Sequence, residues 1–425
     1  MHDLEHHKSG INLPRGLAPL GYRDFTLYWV GVATTNAGRW IELTGLVWLV
    51  YELTNSPFLV GLLGAARALP ALVLSPVAGV VADRVDRRLL LLVTQGLSLL
   101  CSVVMAFLVA MRMIETWQIY VQVMIQAAIM SFDSATRQAL FPSLVRRSVL
   151  PSAVTLNVTA TRVSKFVGPA IAGFLIAGLG EASPFFVNAF SFLGFMGAVA
   201  IMRPVPEERQ DKQLPFAKDV LEGLRYILST PVLSGILKLE IVFSLFEINP
   251  AIVAIIGREL LGVGPEALGI LLSAPALGSF LGISWLLYMK GIGRQGRVTL
   301  SCTLVYANIL IIVAFSYSYA VTLVALALLG ILEVFLTVTR NTVMQIAAPV
   351  YMRGRVMANM GTVTRGLGPL SETQSGFLAS TIGPAAAVLT AAGFIGTGAL
   401  LILVSNRDLR NFALDESKSG EHSTG

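Results

Sequence analysis

Twelve long apolar runs restrict the fold of this 425-residue chain more than any other feature. Each is about 20 residues or longer, enough to cross roughly 30 Å of hydrocarbon as a helix. The composition agrees, since 55% of the residues are hydrophobic and 13% are charged, whereas a soluble domain is about one quarter charged. We therefore predict an all-α integral membrane protein with twelve transmembrane helices. The runs are 25–51, 59–82, 89–111, 117–140, 151–179, 184–202, 232–257, 266–289, 298–318, 320–346, 356–380 and 384–404.

The positions of Lys and Arg predict the topology. Twenty-one of the 31 lie in the two terminal tails and in the loops after even-numbered runs, whereas Arg112 and Arg258 alone occupy the opposite loops. Loops rich in Lys and Arg stay in the cytoplasm, so both termini are expected there. Contact with anionic lipid explains the net charge of +6 better than nucleic-acid binding does.

The chain is predicted to consist of two similar halves. The polar stretch 203–231 separates six runs from six runs, and residues 57–69 match 265–277 at an offset of 208. Gly168-Pro169 recurs as Gly368-Pro369. Parallel repeats of this kind predict two pseudo-symmetric six-helix bundles around a central pathway.

Five segments follow from this division. Apolar residues at helical spacing after Phe216 predict an amphipathic helix on the cytoplasmic surface within the linker. The segments are a cytoplasmic tail at 1–23, a bundle at 24–202, a cytoplasmic linker at 203–231, a bundle at 232–405 and a cytoplasmic tail at 406–425.

A charged turn joins the second and third runs and reads Gly79-Val-Val-Ala-Asp83-Arg84-Val-Asp86-Arg87-Arg88. Apart from Asp86, which replaces a glycine, it resembles the signature cytoplasmic loop of the major facilitator superfamily of secondary transporters. In that family the first glycine permits close helix packing, and the Asp and Arg residues form a charge relay that locks the outward-open form. The resemblance implies a gating role for Gly79, Asp83, Arg84, Arg87 and Arg88. The alternative is a simple topology anchor.

Asp133 and Arg137 form an i, i+4 pair near the cytoplasmic end of the fourth run. We interpret them as part of one cytoplasmic charge network with Asp83. Arg340, which follows Thr339 as Arg137 follows Thr136, is their expected counterpart in the second half.

Several stretches resemble one branch of the superfamily, the exporters related to the enterobactin exporter and the macrolide efflux proteins, also called transmembrane secretion effectors. The matching stretches are 36–42, 48–54, 68–72, 132–142 and 188–192. This resemblance implies export of a small molecule from a bacterial cell.

The fifth run carries Ser164-Lys-Phe-Val-Gly168-Pro169-Ala-Ile-Ala-Gly173, which resembles the helix-5 motif of antiporters in the superfamily. Gly168, Pro169 and Gly173 match the motif, and this favours export by antiport. The alternative is a packing kink, because small residues permit close approach and proline bends a helix.

Ionised side chains within a membrane cost at least about 2.5–3.5 kcal/mol each and normally face a partner or water. Arg39 and Glu42 lie one turn apart on one face of the first run, and Glu247 lies at offset 208 from Arg39, before a helix break at Asn249-Pro250. In the superfamily, helices 1 and 7 line the central cavity. Our hypothesis is that the three residues face one another, that Glu42 or Glu247 takes up the coupling proton and that Arg39 adjusts its affinity for the proton. The alternative is a fixed structural ion pair.

Other charges in the apolar runs are further candidates. Glu372 and Glu333 are additional proton sites. Arg162 and Lys165 share one helix face and need an acid, either Asp133 or an anionic substrate.

We therefore expect a proton-coupled exporter of a small amphipathic molecule, working by alternating access in the bacterial inner (plasma) membrane. Expected partners are the substrate, protons and membrane lipid, and the protein is expected to be a monomer that binds no nucleic acid. No cofactor, metal site or catalytic residue is expected. The first alternative is an uptake or lysophospholipid-flipping transporter of the same fold. A membrane enzyme is disfavoured, since the runs hold no Ser/His/Asp constellation.

Overall fold

A computed structural model describes residues 14–202, 216–289 and 293–412. Parts of the two predicted tails and of the linker lie outside these residues. The long helices follow the predicted runs to within a few residues. The helices are α1 (Arg23–Thr54), α2 (Pro57–Arg84), α3 (Arg87–Ala110), α4 (Thr116–Leu140), α5 (Leu150–Leu179), α6 (Ser183–Ile201), α7 (Phe216–Ser229), α8 (Pro231–Phe246), α9 (Pro250–Glu259), α10 (Pro265–Tyr288), α11 (Gln295–Phe315), α12 (Tyr319–Ala347), α13 (Arg353–Ile382), α14 (Pro384–Ser405) and α15 (Arg407–Asn411), with short 3₁₀ turns at Arg15–Gly21 and Phe141–Leu144.

Nine spans within the described residues are long and apolar enough to cross a membrane, with α8 and α9 forming one of them. Helices α1, α4 and α13 contain 32, 25 and 30 residues and carry more polar side chains. Their lengths are sufficient to cross the bilayer. With these three, the predicted set of twelve spans is complete.

The outer faces of the helices suit a lipid solvent. On α3, Leu100 and Val104 are 58% and 48% exposed, whereas Gln95, Ser98 and Ser102 are fully buried. A soluble helix would show the opposite arrangement. Apolar side chains outside and polar ones inside are expected where hydrocarbon surrounds the protein.

The helices form two compact units. Among the described residues, the first contains 14–202, 253–258 and 262–273, and the second contains 216–252, 259–261, 274–289 and 293–412. The main division therefore falls within the predicted linker. In the first unit α1 packs against α5 and α6, α2 against α4, and α3 against α4 and α6. In the second, α11 packs against α12 and α14, and α8 against α13 and α14.

Helix α7 forms where an amphipathic helix is predicted, and part of its apolar face packs on α13. Ile227 is fully buried in a cluster that includes Val356, whereas Leu221 and Leu228 are exposed. Glu222 and Arg355 form an ion pair at 2.8 Å beside this contact.

Helices α10 and α12 cross within the second unit with their backbones in contact, because both carry glycine at the crossing. A Cβ at Gly278 would lie 1.8 Å from the Ala327 carbonyl oxygen, and one at Gly330 would lie 1.9 Å from that of Pro275. Small residues at such crossings let helices associate in lipid.

Gly278→Ala is expected to lower the free energy of unfolding by about 3 kcal/mol, since the added methyl group must push two backbones apart. Gly393 in α14 is the matched control, because a Cβ there meets no atom within 4 Å. Gly393→Ala should be neutral or stabilising by up to about 1 kcal/mol. Thermal unfolding of the detergent-solubilised variants measures both. Equal stability of the two variants would contradict the close crossing.

Candidate functional site

Glu42 lies in the interior of the first unit and is held by neutral donors. Its side chain is 5% exposed. The amide of Gln122 in α4 donates to one carboxylate oxygen at 3.2 Å, and the amide of Asn188 in α6 donates to the other. Asn188 also donates to the Ser102 hydroxyl in α3 at 3.2 Å. Gly38 permits this approach of α6, because a Cβ there would lie 2.5 Å from Asn188 Oδ1.

Arg39 is exposed, one turn before Glu42. Within the described part of the chain, no hydrogen bond or ion pair joins the two side chains. In this arrangement Glu42 therefore makes no close ion pair with Arg39, and the alternative of a fixed structural ion pair among the three charges stays a prediction. The physical reason for the missing contact is that amides from α4 and α6 satisfy Glu42 inside the bundle.

Glu247 lies in the second unit, at the predicted break between α8 and α9. Pro250 begins α9 and has no N–H group to continue the α8 hydrogen bonding. Asn249 bridges the break, accepting from the Ile252 N–H at 3.0 Å and donating to the Ser375 hydroxyl at 3.2 Å. The Ile248 N–H donates to the Tyr306 hydroxyl at 3.0 Å.

A small cavity opens beside this break, and Glu247 and Gln374 are among its few polar lining residues. Leu310 of α11 and Val388 of α14 form part of its apolar wall. The predicted meeting of Glu247 with Arg39 and Glu42 joins residues of two units and stays a prediction.

Asp133 and Arg137 form the predicted pair, deep inside the first unit. Asp133 is fully buried, and Arg137 Nε lies 2.6 Å from its Oδ2. Gln95 of α3 donates to Asp133 Oδ1 at 2.6 Å, and Arg137 donates to the Thr35 hydroxyl of α1 at 3.3 Å.

The predicted network between this pair and Asp83 is not formed among the described residues. Asp83 is exposed at the end of α2, whereas Asp133 is enclosed by α3 and its own Arg137. A gating role for Asp83 and for exposed Arg84 remains a prediction. A Cβ at Gly79 would meet no atom within 4 Å, so the close packing implied for this glycine does not occur in this arrangement.

The remaining residues of the turn form hydrogen bonds with the ends of neighbouring helices. Arg87 donates to the Ala139 carbonyl in the last turn of α4 at 3.2 Å, and Arg88 donates to the Val199 carbonyl near the end of α6 at 3.1 Å. Cations stabilise helix C-termini in this way. Asp86 accepts from the Leu89 N–H at 2.7 Å and caps α3, which gives a physical reason for an Asp where the superfamily has glycine.

Asp86→Ala is expected to lower the free energy of unfolding by about 1 kcal/mol, whereas Asp86→Gly should cost only a few tenths. Alanine removes the capping oxygen, and glycine compensates in part by exposing the N-terminal N–H groups to water. Denaturant unfolding in detergent measures the difference. Equal losses for both variants would show that the cap does not determine the effect.

Arg340 is paired in the second unit, with a partner that the sequence reasoning missed. It forms an ion pair with Glu240 of α8, and both side chains are about nine-tenths buried. Thr364 of α13 and Ser244 donate to Glu240 Oε1 at 3.0 and 3.3 Å. The counterpart of the Asp133–Arg137 pair thus takes its acid from another helix. The sequence did contain a signal for this partner, because Glu240 lies two helical turns before Glu247 in the same apolar run.

The other charged residues predicted for the substrate and proton pathway lie on separate helices of the two units. Lys165 and Arg162 are half-buried on α5, and Lys165 Nζ lies 5.7 Å from the Trp40 ring centre. Asp133 is paired with Arg137 instead of with them. In the second unit Glu372 is 7% exposed and Glu333 is half-buried.

The kink residues of α5 lie at close helix contacts. A Cβ at Gly168 would lie 2.5 Å from Trp40 Cβ, and one at Gly173 would lie 2.4 Å from the Pro265 carbonyl oxygen. Pro169 lies in the interior of α5 and is buried. The packing explanation therefore has direct geometric support, and the antiporter role stays a prediction.

The sequence reasoning also missed a set of polar side chains in the interior of the first unit, four of them buried and two, Gln122 and Gln126, half-buried. A recognisable signal existed, since polar residues recur every three or four positions on one face of α3 and of α4. These residues are Gln95, Ser98, Ser102, Gln122, Gln126 and Asn188.

A helical protein whose long helices expose apolar side chains and enclose polar ones is a multi-pass membrane protein, and the comparisons identify the family. Residues 15–423 match the family model described as transmembrane secretion effector. The chain therefore belongs to this family of major facilitator superfamily transporters and is not an enzyme.

Three relatives illustrate the similarity. The uncharacterised major facilitator-type transporter YfiS of Bacillus subtilis is 27% identical, over 90% of this chain and 92% of its own length. The multidrug efflux pump Tap of Mycolicibacterium fortuitum is 26% identical, over 82% and 88%. The enterobactin exporter EntS of Shigella boydii serotype 4 is 25% identical, over 85% and 87%.

Two solved structures share the fold. A mutant of the nucleoside transporter NupG aligns with a TM-score of 0.71 over 92% of this chain and 99% of its own, at 11% identity. A bacterial homologue of the iron transporter ferroportin aligns with 0.69 over 90% and 98%, at 14% identity. At these identities the likeness supports the major facilitator fold alone.

Proposed function

We propose that this transporter is a proton-coupled exporter of a small amphipathic molecule and that Glu42 takes up the coupling proton. The observation that carries the proposal is the environment of Glu42, a buried acid in a membrane span whose hydrogen-bond donors are two neutral amides. The relatives include a multidrug efflux pump and an enterobactin exporter, which supports export of a small molecule.

Glu42 differs from the buried acids Asp133 and Glu240 in what its protonation would leave behind. Asp133 and Glu240 are each paired with an arginine. Neutralising either acid strands a buried cation, and breaking such a pair typically costs about 3–5 kcal/mol. Protonation of Glu42 leaves only amide groups, which can turn their oxygen towards the new O–H group. A proton can therefore bind and leave at Glu42 without unpairing a charge.

The remaining elements fit an alternating-access cycle. We assign the turn from Gly79 to Arg88 and the Asp133–Arg137 pair to gating in the first unit, and Arg340 to gating in the second. Glu247, at the cavity beside the helix break, is the proposed acid of the substrate pathway in that unit. Such breaks are common at substrate and ion sites of transporters. We place both termini in the cytoplasm and the protein, as a monomer, in the bacterial inner membrane.

Dye transport in everted membrane vesicles tests the proposal. With ethidium as the probe, energised vesicles containing the protein should accumulate the dye, and the protonophore-sensitive part of this uptake should exceed that of vesicles without the protein. Collapse of the pH gradient by nigericin should abolish the difference. No dye movement, together with transfer of a fluorescent lysophospholipid by the reconstituted protein, would instead support the lipid-flipping alternative.

A further inference from the structure

A stripe of polar side chains runs along the inward face of α3. Gln95, Ser98 and Ser102 follow one another at spacings of three and four, which places them on one side of the helix. All three are fully buried. The same helix exposes leucine and valine on its outer side, so the stripe cannot serve a solvated surface.

A second stripe runs along α4 and meets the first. Gln122, Gln126 and Asp133 lie four and seven residues apart on one face, and eleven helical residues span about 16 Å. Gln126 Nε2 lies 3.1 Å from the Ser98 hydroxyl, and Gln95 Nε2 lies 2.6 Å from Asp133 Oδ1.

Each end of the double stripe carries a buried acid. At one end Glu42 accepts from Gln122 and from Asn188, which also contacts Ser102. At the other end Asp133 is paired with Arg137. We name this set the polar column. Its members are Glu42, Gln122, Asn188, Ser102, Gln126, Ser98, Gln95, Thr94 and Asp133.

Three acceptors in the polar column point to bound water. The side-chain oxygens of Gln95, Gln122 and Gln126 are buried and accept no hydrogen bond from any described residue. An unsatisfied buried acceptor costs about 1–3 kcal/mol, and internal water is the usual donor at such positions. The neighbouring hydroxyls and amides supply the further partners that each water needs.

We propose that the polar column is a hydrated proton path that joins Glu42 to Asp133 through the core of the first unit. The inference rests on the proposed role of Glu42 as the proton site. A proton leaves the Glu42 carboxyl group for the first water, each water accepts one proton and releases another, and the last water holds a proton beside the Asp133–Arg137 pair until bulk water accepts it. Glu42 is then a carboxylate, whereas Asp133 stays ionised and paired with Arg137 throughout. The glutamine amides hold the water and undergo no covalent change.

Charged or titratable side chains lie near both ends of the polar column. Arg39 in α1 and Cys101 in α3 are titratable neighbours of Glu42, and Tyr28 and Arg137 are neighbours of Asp133. Every group in the polar column belongs to the first unit. The proton path therefore does not require the second unit.

Hydrogen–deuterium exchange of the Glu42 carboxyl group tests the path without knowledge of the substrate. The purified protein in lipid is transferred into D₂O, and infrared spectroscopy follows the protonated-carboxyl band that is absent in Glu42→Gln. Gln126→Leu should slow the exchange about tenfold, because it removes a buried water-binding group. Ser98→Ala, a smaller change at the same point, should slow it in the same direction. Ser131→Ala is the control, since among the described residues this buried α4 hydroxyl bonds only to its own helix, at the Ala127 carbonyl.

The outcomes separate the path from the proposed function. Slow exchange in Gln126→Leu and Ser98→Ala, with a wild-type rate in Ser131→Ala, supports the path. Wild-type rates in both column variants, or equal slowing in the control, overturn the path and leave Glu42 as the proton site. Failure of Glu42→Gln to remove any carboxyl band overturns both proposals.

Discussion

Glu42→Gln is expected to reduce proton-driven dye export at least tenfold, a change equivalent to about 1.4 kcal/mol or more in a rate barrier. Glutamine has nearly the shape of glutamate and keeps one acceptor oxygen, and one of the two neighbouring amides can turn its own oxygen towards the new NH₂ group, but glutamine cannot bind and release a proton. The fold should therefore persist while coupling is lost. Ethidium transport in everted vesicles, compared at equal protein levels, measures the effect.

Glu115→Gln is the matched control, because Glu115 is exposed just before α4 and its glutamine retains a capping oxygen. It should export at the wild-type rate. Undiminished, pH-gradient-dependent export by Glu42→Gln would show that another group carries the proton, and Glu247 would become the first candidate.

Glu240→Ala is expected to lower the free energy of unfolding by about 3–5 kcal/mol, because it leaves Arg340 buried without its acid. Arg340 is 8% exposed in its side chain and lies over the Phe243 ring at 5.0 Å. Water therefore cannot easily solvate the stranded guanidinium group. Thermal unfolding of the purified protein in detergent measures the loss.

Two further variants serve as controls for Glu240→Ala. Glu240→Leu combined with Arg340→Met removes both charges and should recover most of the stability, since well-packed apolar replacements of buried pairs are often neutral. Glu222→Ala breaks the more exposed pair with Arg355, whose side chains are 56% and 36% exposed. It should cost no more than about 1 kcal/mol. A Glu240→Ala loss as small as that of Glu222→Ala would contradict the importance of the buried pair.

The membrane helices could be predicted from the sequence because their lengths and composition are local properties. The run predicted at 89–111 is α3 at Arg87–Ala110, and the break predicted at Asn249-Pro250 separates α8 from α9. The Asp133–Arg137 pair was also accessible, because an i, i+4 spacing brings two side chains together on any helix. These features need no knowledge of which helices are neighbours.

The partners of the deeper charges could not be predicted in this way. Glu42 was expected to face Arg39, but its hydrogen bonds come from α4 and α6. Arg340 was expected to repeat the arrangement of Arg137, but its acid is Glu240 of α8. Both contacts join residues at least 80 positions apart, so no periodicity along the chain encodes them.

The sequence by itself determined that this protein crosses a membrane many times as helices, because hydrocarbon accepts only long apolar segments whose backbone groups are satisfied internally. It also determined which few charged residues lie within the membrane spans and are therefore candidates for function. The tertiary structure alone decided which polar groups meet inside the first unit, since each helix can bury its polar stripe only against a neighbour of complementary chemistry. That choice turned Glu42 towards amides and, in the second unit, paired Glu240 with Arg340.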